Sequence, residues 1–124
     1  MRKIFQKNKI ICFDLDGVIC KTFGNNYVKS RPIKNNIKFI NKLYEKGYTI
    51  KIFTARFMGR SNENVNLAKQ KGYKLTRMQL NKWELKYHYL LMGKPSYDLF
   101  IDDKAYGFNK NWRNNLKHYL NLRI

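Results

Sequence analysis

The sequence predicts an α/β fold with a mostly parallel sheet, and three observations carry that prediction. Short apolar runs rich in β-branched and aromatic residues recur at 10–13, 48–53, 87–92 and 97–101. Segments with apolar residues at helical spacing separate the first three runs, so strands alternate with helices, and right-handed crossovers are expected to join them. Asp14, Asp16, Thr54, Lys94, Asp102 and Asp103 stand just after such runs or just before one. The carboxyl ends of strands in open parallel sheets are where ligands bind.

The first run, Ile10-Ile11-Cys12-Phe13, shows no polar alternation, which predicts a strand buried on both faces. A polar loop bearing Gly17, Gly24 and several asparagines follows to Ser30. Pro32 then opens a helix in which Ile33, Ile37, Ile40, Leu43 and Tyr44 share one face and Lys34, Lys38, Lys42 and Lys46 the other, with Gly47 as its stop. Residues 48–53 read as the second strand, ending at Thr54. Ser61 is expected to cap a short helix reaching Lys71, with Val65 and Ala68 inward, Leu67 beside them and Gly72 as terminator. Thr76 and Gln79 then form a capping box for another helix whose Leu80 and Trp83 face the core. Residues 87–92 and 97–101 are the third and fourth strands. Trp112, Leu116, Leu120 and Ile124, four residues apart, predict a closing helix packed on the sheet.

At 124 residues the chain is expected to form a single domain, 1–124, with 44% hydrophobic residues to build a core. Against 26 Lys and Arg stand only 8 Asp and Glu, a formal charge of +18. Such a surplus favours polyanions as neighbours, but Lys and Asn are abundant throughout, which reads as compositional bias and a solvated surface. Cys12 and Cys20 have neither metal-ligand spacing nor a disulfide framework, so a reduced, cytoplasmic protein is expected. The start MRKIFQKNKIICF resembles a basic leader, but its apolar run is too short for a signal peptide or a membrane span.

With so few acids, two Asp pairs at strand ends are conspicuous: Asp14 with Asp16, and Asp102 with Asp103. Carboxylates gathered in one cleft repel one another, and oxygen ligands of this kind suit Mg²⁺ with waters and a substrate phosphate. Asp14, Thr54, Lys94 and Asp102 are therefore expected to converge.

Taken together, Asp14-Leu15-Asp16-Gly17, Thr54, Lys94 and Asp102-Asp103, in that order, resemble the haloacid dehalogenase superfamily of phosphotransferases over nearly the whole chain. The resemblance implies a Rossmann-like three-layer fold and a Mg²⁺-dependent phosphomonoesterase working through an aspartyl-phosphate. Asp14 would be the nucleophile and Asp16 the general acid and base, the residue that sets phosphatases apart from dehalogenases and ion pumps. Thr54 would hydrogen-bond a phosphoryl oxygen and Lys94 would offset its charge. Mg²⁺ would be held by Asp14, Asp16, Asp102 and Asp103. Gly17 and Arg56 are candidate substrate contacts.

A nearer resemblance is to a branch of capsule-biosynthesis phosphatases, carried by Thr54-Ala55-Arg56-Phe57-Met58 and by Gly93-Lys94-Pro95 leading to Asp102-Asp103-Lys104-Ala105. It implies a small phosphosugar substrate in surface-polysaccharide biosynthesis. No room remains for a cap domain between these motifs. Capless members use macromolecular substrates or close the site with a neighbouring subunit, so either a macromolecular substrate or a homo-oligomer that closes the site is implied. The loops at 20–30 and 57–60 would then touch the leaving group.

Two other functions compete. The same chemistry on nucleotides or phosphorylated nucleic-acid ends is motivated by the +18 charge; a basic binding module without activity is the third reading. A glycosyltransferase metal site would leave Thr54, Lys94 and the second Asp pair unexplained. His88, His118, Asp98 and Cys20 read as structural, and Trp83, Trp112 and the tyrosines as core.

Overall fold

The structure is a computed structural model describing residues 10–124. Residues 1–9, on which the leader reading rests, lie outside the described residues. Among the described residues, five strands and three α-helices occur in the order β1 (Ile10–Asp14), β2 (Cys20–Lys21), β3 (Arg31–Pro32), α1 (Lys34–Glu45), β4 (Thr49–Thr54), α2 (Val65–Lys82), β5 (Tyr89–Met92) and α3 (Trp112–Tyr119). β1, β4 and β5 form a parallel sheet in that spatial order, and β2 pairs with β3 as a small antiparallel ribbon beside it. A parallel sheet flanked by helices is the arrangement expected of a Rossmann-like three-layer fold, and no cap domain is present among the described residues. No helix among them is long and apolar enough to cross a membrane.

α1 forms where the periodicity placed it. Ile37, Phe39, Ile40 and Leu43 are buried while Lys34, Lys38 and Lys42 stay in water, and each buried aliphatic or aromatic side chain contributes about 1.5–3 kcal/mol. Trp112 of α3 meets Phe39 and Phe13 edge-on, with ring centroids 5.4 and 6.2 Å away. One core therefore ties α1 and α3 to the sheet.

Three expectations are corrected. β1 is not buried on both faces: Phe13 is buried, but Ile10 and Cys12 are exposed. In the sheet register Phe13, Ile52 and Leu90 line up on the core side, whereas Cys12, Lys51 and Tyr89 line up on the other. The apolar run at 10–13 conceals this alternation because Ile10 and Cys12 are apolar residues on the wetter face.

Gly72 does not end a helix, and the two short helices are one, capped by the Asn64 side chain, which accepts from Leu67 N at 3.0 Å. Gly72 sits mid-helix because the ring of Phe57 packs where its Cβ would be. Val65 and Leu67 are exposed; Ala68 and Gly72 are the inward residues.

The fourth strand at 97–101 does not form, and Leu99, Phe100 and Ile101 are exposed. Tyr97 and Phe100 stack on each other with centroids 5.1 Å apart, and the Lys94 amine lies over both rings. An i, i+3 contact cannot be made in an extended strand, where those side chains point to opposite faces.

Candidate active site

A cleft of about 400 Å³ opens beyond the carboxyl ends of β1 and β4. Asp14 is the last residue of β1, and Leu15, fully buried, pins the chain immediately after it. The turn that follows brings Gly17 N to Cys20 O at 2.7 Å. Gly17 has φ +99°, a conformation glycine adopts without strain. Asp14 Oδ1 accepts from Leu15 N at 2.9 Å and lies 3.4 Å from Lys94 Nζ. Lys94 is placed by β4, since its backbone N donates to Thr54 O at 3.1 Å.

Partial burial pushes the Asp14 carboxyl above its ordinary range, with Lys94 pulling the other way. For Lys94, burial works against the charged form, but Tyr97 and Asp14 outweigh it and the amine is held above its usual value. The two groups thus form an ion pair poised at the strand ends, its carboxylate destabilised by its surroundings and its ammonium stabilised.

Asp16 is held differently. Arg56, only 1% exposed, directs Nε to both carboxylate oxygens at 3.2 and 3.0 Å and Nη2 to Oδ1 at 2.9 Å. Thr22 Oγ1 adds a bond to Oδ1 at 2.6 Å. The rest of the guanidinium is also engaged: Nη1 donates to Gln79 Oε1 at 2.6 Å and Thr76 Oγ1 at 3.3 Å, and Nη2 to Ser30 Oγ at 3.0 Å. Gln79 Nε2 in turn donates to Tyr27 O at 2.6 Å. A buried charge is tolerated when every donor has an acceptor, and Arg56 meets that condition. It therefore clamps Asp16, and no N–H is left for the substrate contact expected of it.

Thr54 is fully buried, its Oγ1 accepting from Arg56 N at 3.1 Å. Asp14, Asp16, Arg56 and Lys94 line the cleft, and Thr54 lies beneath it. Asp102 and Asp103 do not join them. Both are exposed in the irregular stretch after β5, and no group of three His, Cys, Asp or Glu placed to hold a metal exists among the described residues. Burial first, then Asp16, pushes the Cys20 thiol up to about 11, so it is an inert neighbour of the carboxylate. His88 is structural, its Nδ1 accepting from Ile50 N at 3.0 Å.

Thr22, Tyr27, Ser30, Thr76 and Gln79 are not singled out by the sequence as site residues, and Arg60 is legible there only as a cation that suits a substrate phosphate or carboxylate or open solvent. The spacing of Thr76 and Gln79 did hold a signal, because i, i+3 residues share a helix face. The same spacing reads equally as a capping box, and the Arg56 partner is remote in sequence.

No family model matches the chain, and no curated protein matches it. Among solved structures, a structural-genomics target from Vibrio cholerae is similar at 25% identity and a TM-score of 0.74, over 90% of this chain and 98% of that one. The two therefore share the fold along nearly their whole lengths. Chains of the Pnkp1/Rnl/Hen1 complex and of the Pnkp1/Rnl/Hen1 RNA repair complex align at 18% and 17% identity, with TM-scores of 0.49 and 0.45. Those matches cover 88% and 89% of this chain but 33% and 30% of those chains.

Proposed function

We propose that the chain is a phosphomonoesterase of the haloacid dehalogenase type. The observation that carries the proposal is the Asp14–Lys94 pair, 3.4 Å apart, beside an Asp16 fixed by Arg56 at the carboxyl ends of β1 and β4. Asp14 attacks phosphorus, the bond from phosphorus to the leaving oxygen breaks, and that oxygen takes a proton from Asp16. Water then gives a proton to Asp16 as its oxygen bonds phosphorus and the bond to Asp14 breaks, releasing phosphate. Lys94 offsets the charge of the carboxylate and the phosphoryl group as they approach. Asp16 Oδ1 is taken up by Arg56 and Thr22, whereas Oδ2 accepts only from Nε, so a lone pair on Oδ2 is the one available to carry the proton.

The resemblance implies Mg²⁺, but the donors present do not fit it: Asp102 and Asp103 stand outside the cleft. No step above passes through a metal. For substrate, the first reading is a small phosphosugar of surface-polysaccharide biosynthesis, the class the resemblance implies. A second, a phosphorylated nucleic-acid end, is favoured by a hollow between α1 and α3 lined by Lys38, Lys42, Lys110, Arg113 and Lys117 with no acidic side chain among its lining residues.

The test is phosphate release from sugar phosphates, nucleotides and 3′- or 5′-phosphorylated oligonucleotides, with Mg²⁺ or EDTA, by the wild type and Asp14→Asn. Turnover by the wild type and none by Asp14→Asn is the expected result. Equal turnover by the two would remove Asp14 from the chemistry and overturn the proposal.

A further inference from the structure

The charges of the cleft do not balance. Asp14 is paired with Lys94 and Asp16 with Arg56, while Arg60, at the rim, has no carboxylate partner among the described residues. Arg60 is nonetheless held in place. Its guanidinium lies over the rings of Phe57 and Tyr27, 4.6 and 5.4 Å from their centroids, and Nη2 donates to Asn25 O at 2.9 Å.

Tyr27 is flanked by two guanidinium groups, since Arg56 lies 4.9 Å from the same ring. Arg56 is neutralised by Asp16, and Arg60 is not. The platform is also built at a conformational cost, because Phe57 adopts φ +68° and its ring occupies space left by the missing Cβ of Gly72. Apart from the Nη2 bond to Asn25 O, the Arg60 guanidinium has no hydrogen-bond partner among the described residues, and a guanidinium with free donors can grip phosphate or carboxylate by two bonds.

We infer that Arg60 binds a second phosphate, carried by the leaving group, so that the substrate bears two phosphates. The inference rests on the phosphomonoesterase reading for which phosphate is cleaved, but the anion site can be measured without turnover. The cleft is of a size that takes a small molecule as well as the scissile phosphoryl group. A sugar bisphosphate and a nucleoside bisphosphate present the same group, and separate arms distinguish them.

The experiment is calorimetric binding to Asp14→Asn, with and without Arg60→Ala, of glucose 6-phosphate against glucose 1,6-bisphosphate and of adenosine 5′-monophosphate against adenosine 3′,5′-bisphosphate. In at least one pair the bisphosphate should bind tighter by about tenfold or more, the size of a charge-assisted hydrogen bond, and Arg60→Ala should abolish that preference. Arg60→Lys should restore only part of it, because a point charge replaces a stacked fork. No preference in either pair, or one that survives Arg60→Ala, overturns the inference. Wild-type hydrolysis of p-nitrophenyl phosphate, run alongside, reports separately on the phosphomonoesterase reading.

Discussion

Replacing Gly72 by Ala sets two known effects against each other. Mid-helix, Ala is favoured over Gly by about 1 kcal/mol, so Gly72→Ala in α2 would ordinarily stabilise. Here the new Cβ would lie 2.2 Å from Phe57 Cδ2, 2.6 Å from Cε2 and 3.2 Å from Cγ, so the whole ring must retreat. Overpacking of this kind costs about 1–3 kcal/mol. The retreat also weakens the Phe57–Tyr27 contact, now 4.9 Å between centroids, a pair of a type worth about 0.5–1.5 kcal/mol. The balance is a net loss of about 2 kcal/mol, which for a chain of this length lowers the melting temperature by roughly 8 °C. Urea and thermal unfolding of Gly72→Ala, Phe57→Ala and the double variant measure it. With the ring gone, Gly72→Ala should instead stabilise by about 1 kcal/mol, so the cycle reverses sign with a coupling of about 3 kcal/mol. A rise in melting temperature for Gly72→Ala alone would refute this packing argument.

Asp14→Asn should be at least as stable as the wild type at pH 7. Burial raises the folded pKa of Asp14, so folding favours its protonated form, the associated stability is present at low pH, and it is lost as pH rises through the folded pKa. A large drop in melting temperature at pH 7 would contradict this. Lys94→Met removes the cation that opposes burial, so the acid limb of the pH profile of kcat/KM should move to higher pH; a limb that stays in place would separate Lys94 from Asp14. Arg56→Met strands Asp16, Thr76 and Gln79. Removing one partner of a buried pair costs about 3–5 kcal/mol; the 28% exposure of the Asp16 side chain brings the expected loss to about 2–4 kcal/mol, measurable by urea unfolding. Pairing it with Asp16→Asn should recover part of the loss, and a single variant as stable as the wild type would show the clamp to be energetically idle.

Local chemistry made α1, β4 and the Asp14–Gly17 turn legible. A lysine-and-isoleucine periodicity, a β-branched run and a glycine at φ +99° are satisfied by near neighbours. The alternation of strands with helices likewise determined a parallel sheet and the end of it at which Asp14, Asp16, Thr54 and Lys94 would lie. The fate of 97–101 was not legible, because a strand exists only when another strand takes its hydrogen bonds; none among the described residues does so here, and Tyr97 stacks on Phe100 with Lys94 over both rings. Asp102 and Asp103 depended on that strand to reach the cleft.

Arg56 shows the same division. By sequence alone it is a cation near a strand end, equally suited to solvent or to substrate. Only the packing of α2 and of the loop before β3 beside β4 brings Gln79, Thr76, Ser30 and Asp16 around one guanidinium. Residue type and spacing determined which groups could do chemistry. Which of them are occupied by each other, and that Arg60 is the cation left over, was decided by contacts between residues 26 to 40 positions apart, which no local pattern encodes.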